Sequence, residues 1–185
     1  CVDVWSAEFG RRATVAMQSM DSMQDLVQNM LLDLYAAERQ ALAFMPKMAK
    51  KAKSQQLKSM FEEHQRHTEM QCGRLEEIFQ QLGMKKPPRR ATHPVISALA
   101  KETEQMMRAG GDQSVIDAAI VMAAQKLEHV EIASYGTAVE FAKLLGEKEL
   151  AKLLAKNLDE EERTDKKLTK LAKSSINPRA RARSN

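Results

Sequence analysis

Residues Gln125–Gly136, QKLEHVEIASYG, decide how this chain can fold. They lie inside a long amphipathic pattern whose apolar face, at about 100° per residue, carries Ile120, Ala123, Ala124, Leu127, Ala138, Ala142 and Leu145. Glu131 falls near the centre of that face, and Glu128 and Tyr135 lie on its flank one turn to either side. An ionised carboxylate is expensive to bury, so such a position demands a proton, a cation partner or a metal ion.

Helical patterns extend from this stretch in both directions. From a capping Asp21, apolar residues recur about every 3.6 positions through Leu26, Val27, Met30, Leu31, Leu34, Tyr35, Ala41, Leu42 and Met45, and Pro46 is expected to kink or end this first long helix. Ser54 caps a second, with Leu57, Met60, Phe61, Leu75, Ile78, Phe79 and Leu82 on its face and a stop at Gly83. Residues 83–93 form a basic, proline-containing connection, and a short helix over Pro94–Arg108 ends at Gly110-Gly111. A third long helix spans Gln113–Leu145 and a fourth Glu147–Lys173. Two helical hairpins joined by a connection of roughly thirty residues predict an all-α, ferritin-like four-helix bundle with one long crossover containing an extra short helix. The bundle is set at 21–173, after an N-terminal arm at 1–20 and before a basic tail at 174–185 that is expected to be disordered.

Composition agrees with one helical domain. The chain has 185 residues, 43% of them hydrophobic and only 4% aromatic, enough for a single sizeable core built from good helix formers. The net charge of +4 is mostly local to the tail, where Arg179, Arg181 and Arg183 stand without an acid. Cys1 and Cys72 invite neither a disulfide nor a thiolate metal site. No segment approaches the roughly 18 apolar residues of a membrane span, so a cytoplasmic setting with no membrane partner is expected. The chain starts at Cys1 rather than Met, which is compatible with an upstream or removed segment.

Each long helix has its apolar stripe interrupted near the middle. The interruptions are Glu38 on the first, His64, Thr68 and Gln71 on the second with His67 at the edge, Glu131 flanked by Glu128 on the third, and Asn157, Glu161 and Thr164 on the fourth with Asp165 at its flank. Glu38 lies about fourteen residues before the turn near residue 52, and His64 and His67 about twelve to fifteen after it. Around Gly146 the distances are about fifteen to eighteen residues for Glu131 and Glu128, and about fifteen to nineteen for Glu161 and Asp165. All four groups therefore reach one height and can converge in a single layer. Carboxylates with two imidazoles suit iron or manganese, which bundle cores bind in pairs. The familiar Glu-x-x-His arrangement is absent, replaced by His64/His67 and Glu128/Glu131 at the same spacing. A metal-free network remains the alternative, with Glu38 a hydrogen-bonded core acid and His64 satisfied by Thr68 and Gln71. Glu63 is a candidate outer ligand, Glu160 and His129 point outward or sideways, and Tyr35 and Tyr135 can hydrogen-bond the belt carboxylates.

The segments LLDLYAAERQ, FEEHQRHTEMQ, AAQKLEHVEIASYGT and LDEEERTDKKLTKLA, in this order, resemble the YciF/YciE family of ferritin-like bacterial proteins over about residues 22–173. The resemblance implies a dimer, an association with stress responses and a metal site whose ligands fall on Glu38, His64, Glu128, Glu131, Glu161 and Asp165. That family usually carries Glu where this chain has His67. The expected function is a di-iron or di-manganese protein reacting with oxygen or peroxide. The rival reading is a non-catalytic dimeric stress protein whose polar belt is structural. Nucleic-acid binding through the tail arginines and the Lys85–Arg90 loop is disfavoured, because so short a charge run is usually a solvated segment with no element to read a groove.

Overall fold

Ser22 starts the first helix by accepting the Asp25 amide on its hydroxyl, one residue beyond the expected Asp21 cap, and α1 runs Met23–Lys51. The computed structural model describes residues 19–88 and 91–182, so most of the N-terminal arm, the end of the tail and part of the basic connection lie outside the described residues. Pro46 does not break α1. It sits on the exposed side of the helix, while Phe44, Met45 and Met48 are buried and hold the last turns against the core.

Helix α2, Gln55–Gln81, is capped twice. The Ser54 hydroxyl accepts the Leu57 amide at 3.4 Å, as the sequence suggests. In addition Asp117, from α4 (Gln113–Leu144), accepts the amides of Lys53 and Ser54, both at 2.8 Å, which satisfies donors that a helix start leaves unpaired. Asp117 is only 4% exposed, so the bonds are screened from water. Asp117→Ala is therefore expected to destabilise the chain by roughly 2 kcal/mol or more in urea unfolding, through two lost charge-assisted bonds and two stranded amides.

Gly83 at φ 63° ends α2 and Gly146 at φ 77° turns α4 into α5, both in the left-handed conformation. Helix α3, Pro94–Arg108, occupies the crossover and packs on α1 and α4, and α5, Lys148–Leu171, returns along α4. The chain then departs from the expected disordered tail. A π turn over Ala172–Ile176 and a short helix α6, Asn177–Ala182, continue beyond α5. The π turn, closed by the Asn177 amide on the Ala172 carbonyl, carries Ile176 into the core at 2% exposure, and α6 packs against α4.

α1 packs against α2 and α4, and α5 against α4 and α2, which makes a four-helix bundle. Its apolar core is divided in two. One cluster joins Met45, Leu57, Phe61, Ile120 and Leu168; the other joins Leu31, Leu75, Ile78, Ala138 and Leu154. These memberships place the C-terminal half of α1 with the N-terminal half of α4, so these neighbours are antiparallel, and α2 and α5 likewise. The polar belt lies between the two clusters. No described helix is long and apolar enough to cross a membrane.

Candidate metal centre

Periodicity carries four side chains from three helices into the gap between the clusters. His64 on α2, Glu128 and Glu131 on α4, and Glu161 on α5 are all buried, and each offers a ligand atom within 4.8 Å of those of the others. His64 Nε2 lies 3.1 Å from Glu128 Oε1 and 3.9 Å from Glu161 Oε2. Glu38 on α1, fully buried, adjoins this group and accepts a hydrogen bond from the Tyr135 hydroxyl at 2.5 Å. Asn157 donates to the same tyrosine oxygen at 2.9 Å. Arg74 in turn donates to Asn157 and, at 2.6 and 2.9 Å, to Glu160 near the surface.

The belt is rich in acceptors and poor in donors. Both Glu131 oxygens, Oε2 of Glu38, Glu128 and Glu161, and both ring nitrogens of His64 are buried without a hydrogen-bond partner. Arg74 does not relieve this, because Glu160 neutralises it. Burial pushes the Glu128 carboxyl up to about 8, chiefly by desolvation. Glu131, Glu38 and Glu161 are raised well above the usual carboxylate range, first by burial and then by the charge of neighbouring belt acids, Glu38 acting on Glu131, Glu161 on Glu38 and Glu128 on Glu161. Stranded carboxylate oxygens beside an imidazole form the donor set of a first-row divalent cation. The residues thus fit a metal, and the cluster is one that could hold an ion.

Residues 22–181 match the family described as a domain of unknown function, DUF892. The chain belongs to that family. Protein YciF of Escherichia coli (strain K12) is 35% identical to this DUF892 chain over 162 residues, 88% of this chain and 97% of YciF. The crystal structure of the E. coli stress protein YciF superposes with a TM-score of 0.80 at 34% identity, covering 85% of this chain and 99% of that one. YcfI of Rhodopseudomonas palustris, described provisionally as a structural protein, gives 0.77 at 36% identity and covers 85% and 97%. A Xanthomonas campestris protein, at 23% identity and a TM-score of 0.68 over 88% and 98% of the chains, shares the fold. The resemblance to YciF/YciE read from the sequence is borne out.

Of the seven candidate ligands in this DUF892 chain, His64, Glu128, Glu131 and Glu161 come together and Glu38 borders them. His67 and Asp165 lie outside the cluster. His67 is half-buried with an unpartnered Nδ1. Asp165 accepts from Gln125 Nε2 at 2.9 Å and lies 3.7 Å from His129 Nε2. The expected partners of His64 behave differently as well: Gln71 donates to Glu161, and the Thr68 hydroxyl has no partner. Glu63 turns outward to Lys167 at 2.7 Å. Tyr135 bonds the belt as expected, but Tyr35 donates to Glu76 at 2.6 Å instead. Arg74 is the network residue that sequence reading missed, although its place one turn beyond Gln71 on α2 was a signal.

Proposed function

We propose that the belt is a carboxylate/histidine centre for two iron or manganese ions that reacts with dioxygen or peroxide, as part of a stress response. One observation carries this reading: the layer strands acceptors from four acids and an imidazole, while the buried guanidinium beside it, Arg74, is already paired with Glu160. Four carboxylates carry as much negative charge as two divalent cations carry positive, so a pair of ions would neutralise the layer. Glu38, His64, Glu128, Glu131 and Glu161 would hold the ions, with His67 and Asp165 as outer donors. The chemistry such ions supply when bound is electron transfer to dioxygen or peroxide. The protein's own contribution is orientation and exclusion of water. Tyr135 fixes one oxygen of Glu38 and Gln71 one oxygen of Glu161, which leaves their other oxygens for a ligand. The two apolar clusters wall the layer off above and below.

The second reading, a non-catalytic dimeric stress protein, draws support from the Glu160–Arg74–Asn157–Tyr135–Glu38 chain, which satisfies part of the belt without metal. Oxidant consumption separates the two. The chain loaded with Fe(II) or Mn(II) and desalted is expected to consume dioxygen or hydrogen peroxide faster than the same concentration of free metal, and the Glu128→Ala/Glu131→Ala chain to lose that excess. Consumption no faster than free metal would leave the structural reading standing.

A further inference from the structure

Between α1 and α4 a cavity of about 90 Å³ reaches from the surface to the belt. Its rim is partly exposed and includes Asp33, His93 and Ser134, whereas Leu34, Ala37 and Glu131 at its floor are buried. Glu131 is 1% exposed, and both of its oxygens lack a hydrogen-bond partner. The crossover is pinned over this opening. Gln40 accepts the His93 amide at 2.5 Å and donates to the Ser97 hydroxyl at 2.8 Å, so α1 fixes where His93 sits.

We propose that this funnel is the entry port for divalent cations, with the Asp33 carboxylate as the outer donor that captures the ion and Glu131 as the inner donor that receives it. The inference rests on the metal-centre reading and adds to it a route and a capture site. Size supports it: the space equals about three waters at roughly 30 Å³ each, enough for a partly dehydrated cation and too small for a nucleotide or peptide. Charge supports it too. Asp33 and His93 are close enough to sense each other, and burial raises the Asp33 carboxyl and lowers the His93 imidazole, so a cation beside Asp33 would relieve the cost of its charge with little competing positive charge from His93. A cation in the funnel therefore meets carboxyl oxygens at the rim and at the floor, with apolar walls between.

Mn(II) uptake tests this directly, because free Mn(II) has a six-line electron paramagnetic resonance signal that fades on binding. Ser134→Leu should fill the rim and slow uptake by about tenfold, since a packed wall admits a cation only when it opens. Asp33→Asn should slow it by roughly threefold to tenfold at low salt, with the difference shrinking as salt is added. Both should reach the parent's final stoichiometry, and circular dichroism checks that each is folded. Uptake at the parent rate in both would overturn the port while leaving the centre intact. A lower final stoichiometry in Asp33→Asn would make Asp33 a ligand of the centre, not a way-station. A parent chain that takes up no Mn(II) would overturn the centre and the port together.

Discussion

Glu131→Gln is expected to make the metal-free chain more stable at pH 8 and to lower its metal content, two effects of opposite sign from one substitution. The carboxyl is 1% exposed, neither oxygen has a partner, and its neighbours Glu38, Glu161 and Glu128 repel its charge. Glutamine keeps the shape and removes the charge. At pH 8 the folded parent must hold on Glu131 a proton that the unfolded chain releases, or else bury its charge, and glutamine removes that cost, so a gain of about 1–3 kcal/mol is expected in chemical unfolding with chelator present. At pH 4 the parent carboxyl is itself protonated and the difference should vanish. With metal supplied the order should reverse, because the amide is a poorer ligand and stabilisation by bound ions grows with the affinity that the substitution lowers. A variant less stable than the parent at pH 8 without metal would mean that Glu131 holds a structural bond.

The second large effect is the dependence of metal-free stability on pH. Glu128 is raised from the ordinary 4.5 to about 8, and the other three belt acids are raised as well. Below pH 4.5 these groups are protonated in both folded and unfolded chains and the shift has no effect. Between 4.5 and 8 the unfolded chain releases their protons and the folded one retains them, so folding stability must fall as pH rises. Each pKa unit corresponds to about 1.4 kcal/mol, which bounds the Glu128 contribution at about 5 kcal/mol. Admission of water into the belt reduces it to a few. Unfolding free energies measured from pH 4.5 to 8 in chelator should decline by that amount, and saturating Mn(II) or Fe(II) should flatten the profile by binding the ionised carboxylates. A stability that rises over this window without metal would contradict the buried acids.

Much of this molecule is legible in its sequence because the deciding signals are periodic. The 3.6-residue stripe of α4 exposes Glu131 as an intruder, and counting from Gly146 and residue 52 puts Glu38, His64 and Glu161 at the same height. Caps are equally local: Ser54 and Gly83 mark the ends of α2 as they stand. What sequence does not carry is the choice a side chain makes between neighbours on different helices. Asp165 lies on the flank of α5, where the period permits either direction, and Gln125 and His129 of α4 hold it away from the cluster. Glu160 resembles a solvated acid until Arg74 reaches it across the bundle. Pro46 and Ile176 fail differently. Local rules kink or end the first helix at Pro46 and end the last at Lys173, and burial of Met45 and Met48 around the one, and of Ile176 beyond the other, overrides them.

The most direct test of the metal centre is elemental analysis after anaerobic loading with Fe(II) or Mn(II) and desalting, beside the Glu38→Ala/Glu131→Ala chain. About two ions per parent chain, lost in the double variant, is the predicted result, since four carboxylates balance two divalent cations. A parent chain that emerges without metal, or a double variant that retains the parent's full complement, would contradict it.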